Sequence, residues 1–506
     1  MSRDASTISS FFAELLVITL VAMLCKRVRI PYTIALVGVG LLLGLTRSVL
    51  PLEVTLTPDL LFIVLLPALL FEAAIHLPAQ RVMANLKPVV LLAVPGMLIT
   101  AFGVGYGVHW ALGLSLPAAL VFGALISATD PISVLALFKE LKAPKDLSVV
   151  VEGESLLNDG AAVVLFQVLV GAATGHALGL SASVGLFFLE SLGGLLIGAG
   201  LGFMACKIHE HLDDAMIEVT LSSILAYGSY LLAQQVHVSG VMAVIAAGFV
   251  FGNVAMHQGL SPQSRLVLLN TWEFIGFICN SLVFLLIGTQ VDLTLLWQKL
   301  GPISLAFLIV ILARALAVAV LAPWTRFPWR WQLVLVWAGL RGSIAMALAM
   351  ALALPERQEL LLLTFGVVLF SLFGQGLTIR PLLVGLGLRG ERPLIKQFER
   401  LSGALMAHEH ALRQLRSRRE AFHIPEEVFR ELATPMQAEI ERLGAELEEY
   451  TRTHAEVRDE QLQDATHLVR NARRSSLREA LAAQLISEEV YQELVEQLSS
   501  PEPGPE

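Results

Sequence analysis

Val151-Glu152-Gly153-Glu154-Ser155-Leu156-Leu157-Asn158-Asp159-Gly160 runs directly into Ala161-Ala162-Val163-Val164-Leu165-Phe166, an apolar segment with the length and composition of a membrane span. An acidic group at such depth costs roughly 2.5–3.5 kcal/mol on insertion scales, so an ion or proton site is the default reading. On a helix, Ser155 and Asp159 stack at i, i+4, and Glu154 and Asn158 stack beside them. Two adjacent ladders of oxygen-bearing side chains then face one region. Asp159 lies about eight residues, or ~12 Å, into the segment. The alternative reading, acids in a wet cytoplasmic mouth that only solvate the helix end, applies to Glu152 more than to Asp159.

Apolar residues make up 55% of the 506-residue chain and charged residues only 15%. That balance is foreign to soluble domains and ordinary for a polytopic membrane protein. Residues 1–390 hold 20 basic and 20 acidic residues, whereas residues 391–506 hold 15 and 23. The whole formal excess of −8 therefore belongs to the C-terminal part, which sets a boundary near Gly390 between a membrane domain (1–390) and a soluble tail (391–506). Cys25, Cys206 and Cys279 fall in or beside different apolar segments, with neither metal-ligand spacing nor a disulfide framework. The N-terminus lacks a basic n-region and a small-residue cleavage site, so Phe11–Val28 reads as a retained span. No phosphate-binding loop of the ATPase kind is present, which argues against an ATP-driven pump. No His-rich metal motif or nucleophile elbow points to an enzyme, nothing calls for a cofactor, and nothing suggests nucleic acid as a partner.

Spans need about 20 mostly apolar residues. On that basis thirteen candidates follow one another: 11–28, 31–48, 58–76, 87–112, 117–138, 151–174, 183–207, 215–235, 238–254, 267–290, 302–323, 331–353 and 359–386. The loops test the count. Alternate loops carry twelve basic residues (Lys26, Arg27, Arg29, Arg81, Lys87, Lys139, Lys142, Lys145, Lys207, Arg265, Arg326 and Arg330). The opposite side holds four: Arg3, Arg47, Lys299 and Arg357. The positive-inside rule then predicts an outside N-terminus and a cytoplasmic tail, in a multi-pass protein of the cell membrane.

Two of these spans are broken in the middle. The fifth reads Ser127-Ala128-Thr129-Asp130-Pro131, where Pro removes a backbone donor and biases Asp130 away from helix. The twelfth reads Ala338-Gly339-Leu340-Arg341-Gly342-Ser343, a cation between glycines. Interrupted spans in corresponding places of two halves point to a transporter built from inverted repeats. The predicted fold class is thus an all-α polytopic membrane protein with two crossed, broken helices. After Arg389 the pattern turns to charged, helix-periodic segments such as Ile440–Leu447. Pro425 suits a first helical turn and Ser487-Glu488-Glu489 a helix start, while Pro501–Glu506 reads as disordered.

Asp159 is suited to hold either a cation or a proton, with neighbouring hydroxyls and carbonyls completing a hard-cation shell. One carboxylate that takes either ligand, but not both, is the minimum apparatus for exchange. Thr129 and Ser155 are the natural oxygen donors, Thr129 also through carbonyls freed by the break. Glu72 is a cation ligand or a vestibule charge. Arg341 needs a counter-ion at mid-membrane, and Glu154 is the candidate. Arg314 and Glu273 read as partners of other buried groups or of helix ends, and Glu190 and Glu218 as structural or span-end charges. A cation channel is the competing class, but no filter-like run appears.

Ala128-Thr129-Asp130-Pro131, Glu152 through Gly160, Trp272-Glu273-Phe274 with Asn280-Ser281-Leu282-Val283-Phe284, and Gly339-Leu340-Arg341-Gly342 together resemble the signature of NhaP/NHE-type sodium/proton antiporters. So do Leu65-Leu66-Pro67 before Phe71-Glu72, and Ser371 with Gln375-Gly376-Leu377-Thr378. The likeness covers residues 11–388 in order. It implies thirteen spans in a dimerisation domain and a six-helix core, a homodimer, and exchange of Na+ (often Li+) for H+ by an elevator-like movement. It also implies Asp159 as the shared ligand with Ser155, Glu72 and the Thr129 backbone around it. Asp130 and Asn158 would stabilise the unwound segments, and Glu154–Arg341 would be a buried pair. The Asn-Asp pair, where electrogenic relatives carry Asp-Asp, implies electroneutral one-for-one exchange. Within such antiporters, K+ in place of Na+ stays open.

Overall fold

A computed structural model describes residues 3–28, 31–45, 57–175, 179–209, 214–258, 262–388, 393–420 and 424–482, with a few positions beyond 482. Arg29, Arg47, Glu488, Glu489 and Pro501–Glu506, used above, lie outside the described residues, as do the side chains of Arg3 and Lys26. Among the described residues every regular element is helical. The chain divides into two compact units, Met1–Gly390 and Glu391–Glu506.

The first unit begins with α1 (Arg3–Val28), α2 (Tyr32–Leu45), α3 (Leu66–His76), α4 (Ala79–Ala84), α5 (Leu86–Leu91) and α6 (Met97–Leu112). It continues through α7 (Leu116–Ser127), α8 (Ile132–Glu140), α9 (Lys145–Ala173), α10 (Leu180–His209), α11 (Ala215–Gln235) and α12 (Gly240–Gln258). Then come α13 (Pro262–Gln290), α14 (Leu293–Gln298), α15 (Leu300–Thr325), α16 (Trp329–Trp337), α17 (Ser343–Met350), α18 (Arg357–Phe370) and α19 (Gly376–Gly385). Among the described residues eight helices, some counted through a short interruption, are long and apolar enough to cross a membrane, and four shorter apolar helices of 10–17 residues accompany them.

Local chemistry sets the ends. Asp214 accepts hydrogen bonds from the Met216 and Ile217 amides at 2.8 and 3.2 Å and so caps α11. Asp292 does the same for α14. Gly113, at φ +72°, closes α6 in a conformation that glycine adopts freely. Three single π-helical turns, Leu60–Leu65, Leu92–Gly96 and Ser371–Gln375, interrupt otherwise α-helical runs. In the first of them the Tyr227 hydroxyl donates to the Val64 carbonyl at 3.0 Å.

Packing sorts the helices into two bundles. In the first, α10 and α11 lie on α12, α12 on α3, and α3 and α2 on α13. In the second, α6 lies between α7 and α15, α7 on α9, and α18 beside α15 and α17. Small residues permit these contacts where lipid supplies no hydrophobic drive: a Cβ at Gly123 would collide with the Ala101 carbonyl, and one at Gly198 with the Ala243 backbone.

The two expected breaks are present, and they meet. Residues 128–131 separate α7 from α8, residues 338–342 separate α16 from α17, and the Asp130 amide donates to the Leu340 carbonyl at 2.8 Å.

The second unit holds α20 (Pro393–Glu420), α21 (Glu426–Thr453) and α22 (Ala455–Ala482). Pro425 sits at the N-cap of α21, one residue before the helix. Leu412, Phe429 and Ala433 form a small core, and the Arg419 guanidinium lies 4.3 Å from the Phe429 ring centroid.

Candidate ion site where the interrupted helices meet

The polar ladder of α9 is fully enclosed. Glu154, Ser155, Asn158 and Asp159 are all buried, and so are Thr129 and Asp130 opposite them. The ladder meets the carbonyls that the first break releases from helix bonding. Ser155 Oγ donates to the Thr129 carbonyl. Asn158 Nδ2 donates to the Ser127 carbonyl at 3.1 Å and reaches Thr129 Oγ1 at 3.3 Å. A helix's last carbonyls lack intrahelical donors, and this side-chain set supplies them. Asp159, Ser155, Thr129, Asn158 and Asp130 therefore form one group. Asp159 Oδ1 has no hydrogen-bond partner among the described residues.

Asp130 faces two helix starts. Its Oδ1 accepts the Ile132 amide at 3.0 Å, closing the first turn of α8. Its carboxylate also lies against Gly342, the residue before α17, where an added Cβ would overlap it. Gly342 is required here by close approach rather than by backbone conformation.

The expected Glu154–Arg341 pair does not form. Glu154 is bound by Arg314 from α15, with Nη1–Oε1 at 2.5 Å and Nη2–Oε2 at 2.9 Å. Arg314 also donates to the Leu335 carbonyl of α16 from Nε and Nη2, at 3.3 and 3.2 Å. Arg341 instead turns to the end of α7, where Nη1 donates to the Ser127 and Ala128 carbonyls at 2.8 and 3.3 Å. The physical reason is that a helix C-terminus carries a partial negative charge and open carbonyls. The break places Arg341 beside that end, while α15 brings Arg314 to Glu154. Ser371, at the head of a π-helical turn, accepts the Arg341 amide at 3.1 Å and fixes the loop. A small cavity lined by Thr129, Pro131, Glu154, Ser155 and Arg314 joins the ion pair to the hydroxyl group.

Glu72 sits in a separate polar cluster. Its Oε1 is 3.4 Å from His76 Nδ1, and both side chains are about one-third exposed, at 29% and 33%. Lys139, Glu152 and Glu273 lie within electrostatic reach of it. Its stem fits against Gly276, one turn along α13 from Glu273. Glu218, read above as a structural or span-end charge, has a buried partner in His209, with Oε1 to Nδ1 at 3.9 Å. Arg314 was the residue whose role the sequence left open. An arginine mid-span signals a buried anion or helix end, but not which one.

This arrangement can hold a hard cation through oxygen: the Asp159 carboxylate, the Ser155 hydroxyl and the Thr129 carbonyl and hydroxyl. It can equally hold a proton on Asp159, with Glu154 already neutralised by Arg314.

Comparison with known proteins places the chain in a family. The Na(+)/H(+) antiporter NhaG of Bacillus atrophaeus is 39% identical over 459 residues, covering 87% of this chain and 86% of that protein. The Na(+)/H(+) antiporter NhaH of Halobacillus dabanensis is 40% identical over 382 residues, covering 72% of this chain and 94% of that protein. The fold is similar to that of the sodium proton antiporter MjNhaP1 from Methanocaldococcus jannaschii, with a TM-score of 0.66 at 21% identity, over 76% of this chain and 99% of that one. The family profile described as "Sodium/hydrogen exchanger, transmembrane" matches residues 15–385. The chain is a multi-pass membrane protein that belongs to the sodium/hydrogen exchanger family, a family of transporters rather than enzymes.

Proposed function

We propose that the protein exchanges Na+, and Li+ where present, for H+ across the cell membrane, with Asp159 as the single carboxylate that binds either ion. The observation that carries this is the enclosure of Asp159 beside Ser155 and Thr129 at the meeting of two broken helices, with Glu154 paired to Arg314 and with Asp130 and Arg341 each bonded to a helix end. The relatives named as Na(+)/H(+) antiporters support the choice of ions.

The cycle follows from competition. A cation arriving at protonated Asp159 displaces the proton, so apparent Na+ affinity weakens about tenfold per pH unit once the carboxylate is mostly protonated. At higher pH affinity levels off and proton loading becomes limiting, which gives a bell-shaped activity profile. Asn158, being uncharged, leaves one titrating acid per cation, and exchange is electroneutral. Access alternates by an elevator-like movement of the second bundle against the first, within a homodimer of thirteen-span protomers whose N-terminus is outside and whose tail is cytoplasmic.

Sodium-triggered proton release from purified protein tests the site. Wild-type protein releases protons on Na+ addition, and Asp159→Asn, which keeps the shape and removes the charge, releases none while still folding. Release that persists in Asp159→Asn moves the site to Glu72 or Asp130. Repeating the titration with Li+ and K+ fixes the selectivity.

A further inference from the structure

The two ends of the path past Asp159 differ in chemistry. Toward the Lys145 end of α9 stand Glu72, His76, Glu152 and Lys139, all wholly or partly exposed. Toward the other end α9 is buried without interruption from Asn158 to Phe166, by apolar or small residues beyond Asp159. The first bundle contributes to that seal through α10 and α12, Met242 among them. Met242, in the first turn of α12, is buried and lies directly over Gly160, the residue after Asp159. A Cβ at Gly160 would stand 2.6 Å from Met242 Sδ, 2.9 Å from Cε and 3.0 Å from Cγ, so the whole outer side chain occupies the notch. Behind it, Gly194 of α10 approaches Met242 Cβ equally closely. The turn before α12 is fixed as well: the Ser239 amide donates to the Glu190 carbonyl at 3.1 Å, and Ser239 Oγ accepts the Met242 amide at 3.3 Å.

We propose that Met242, seated in the Gly160 notch, is the positioning residue that closes Asp159 off from the membrane face at the α11–α12 turn, and that exchange requires it to unseat. This rests on the exchange reading above. Gly160 belongs to the helix that carries the ion ligand, while Met242 belongs to the bundle against which that helix must move. Their contact is therefore made in one access state and broken in the other. An unbranched thioether suits the task, because it fills an irregular notch and leaves it without a large rotamer penalty.

The test uses full-length protein with three variants and three readouts: diffusion potential and exchange in proteoliposomes, and sodium-triggered proton release from purified protein. Met242→Ala opens the seal, and an imposed Na+ gradient then produces a diffusion potential, read with a potential-sensitive dye, about fivefold above wild type. Gly160→Ala denies the side chain its seat and slows exchange about tenfold. The double variant Gly160→Ala/Met242→Ala refills the notch from the other side, restoring exchange and removing the leak. Sodium-triggered proton release persists in all three, because none touches the ligands. Should Gly160→Ala fail to fold, the Met242→Ala leak still decides. A tight Met242→Ala protein, or a double variant no better than Gly160→Ala, overturns the seal. Absence of sodium-triggered proton release in wild type instead overturns the exchange reading itself.

Discussion

The first break, between α7 and α8, ends in carbonyls capped by Arg341, Asn158 and Ser155. The second, between α16 and α17, has its released carbonyl at Leu335 capped by Arg314, which Glu154 neutralises. Each break also lends a charge to the other: Arg341 sits in the second and caps the first, while Asp130 sits in the first and abuts the start of α17. The difference lies in what is left over. At the second break a bidentate ion pair uses its donors up. At the first, part of the capping falls to a hydroxyl and an amide, neutral groups that can turn from a carbonyl to an arriving cation at little cost. The proposed ion site belongs to the break with the weaker cap.

Substitutions at the two caps can break or sharpen that contrast. The largest effect on stability is expected for Arg314→Ala, which strands Glu154 in the interior at a cost of about 3–5 kcal/mol. Thermal unfolding of the purified variant measures it, and Glu154→Gln added to Arg314→Ala should recover part of the loss. An Arg314→Ala protein as stable as wild type would mean that the second break is not held by its ion pair. Arg341→Ala removes a cap without stranding an anion, so the loss should be smaller, about 1–3 kcal/mol from carbonyls left short of donors. If Arg341→Ala proves the more damaging of the two, the assignment of strong and weak caps is inverted. Ser155→Ala leaves one carbonyl short of a donor and should cost about 1 kcal/mol, while weakening apparent Na+ affinity about fivefold, the worth of one neutral oxygen ligand. Unchanged affinity would remove Ser155 from the ligand set. Truncation after Gly390 touches neither break and should do least, preserving exchange and shifting only its pH profile. Transport lost from a truncated protein that still folds would show that the membrane unit does not work alone.

Much of the site was legible in the sequence because it depends on local rules. Pro131 after an acid and Gly339–Gly342 around a cation mark where helices cannot continue, and the breaks fall there. The i, i+4 ladder of α9 needed only helical periodicity. The ion pairing was not legible. Glu154 is 160 residues from Arg314, and sequence alone does not say which of two buried arginines lies nearer. A broken helix also offers its own carbonyls as an acceptor. Counting side-chain charges alone overlooks that option, and it is the one Arg341 takes. The buried contact of His209 with Glu218 was not legible either, because the two belong to different helices, α10 and α11.

The π-helical turn at Ser371–Gln375 has a consequence for the screw of the polypeptide. Such a turn holds one residue more than an α-helical turn of the same rise. At its head Ser371 is locked to the Arg341 amide, and downstream Ile379 and Leu383 are buried. Rewinding the turn as α-helix with every residue kept would swing everything after it by about 100°, and Ile379 and Leu383 would leave the protein interior while Ser371 kept its partner. Deleting one residue between these anchors would instead let the run continue as α-helix with Ile379 and Leu383 still facing inward. In this stretch chain length acts as a setting of angle, and the π-helical turn absorbs the extra residue without turning the last helix of the membrane unit.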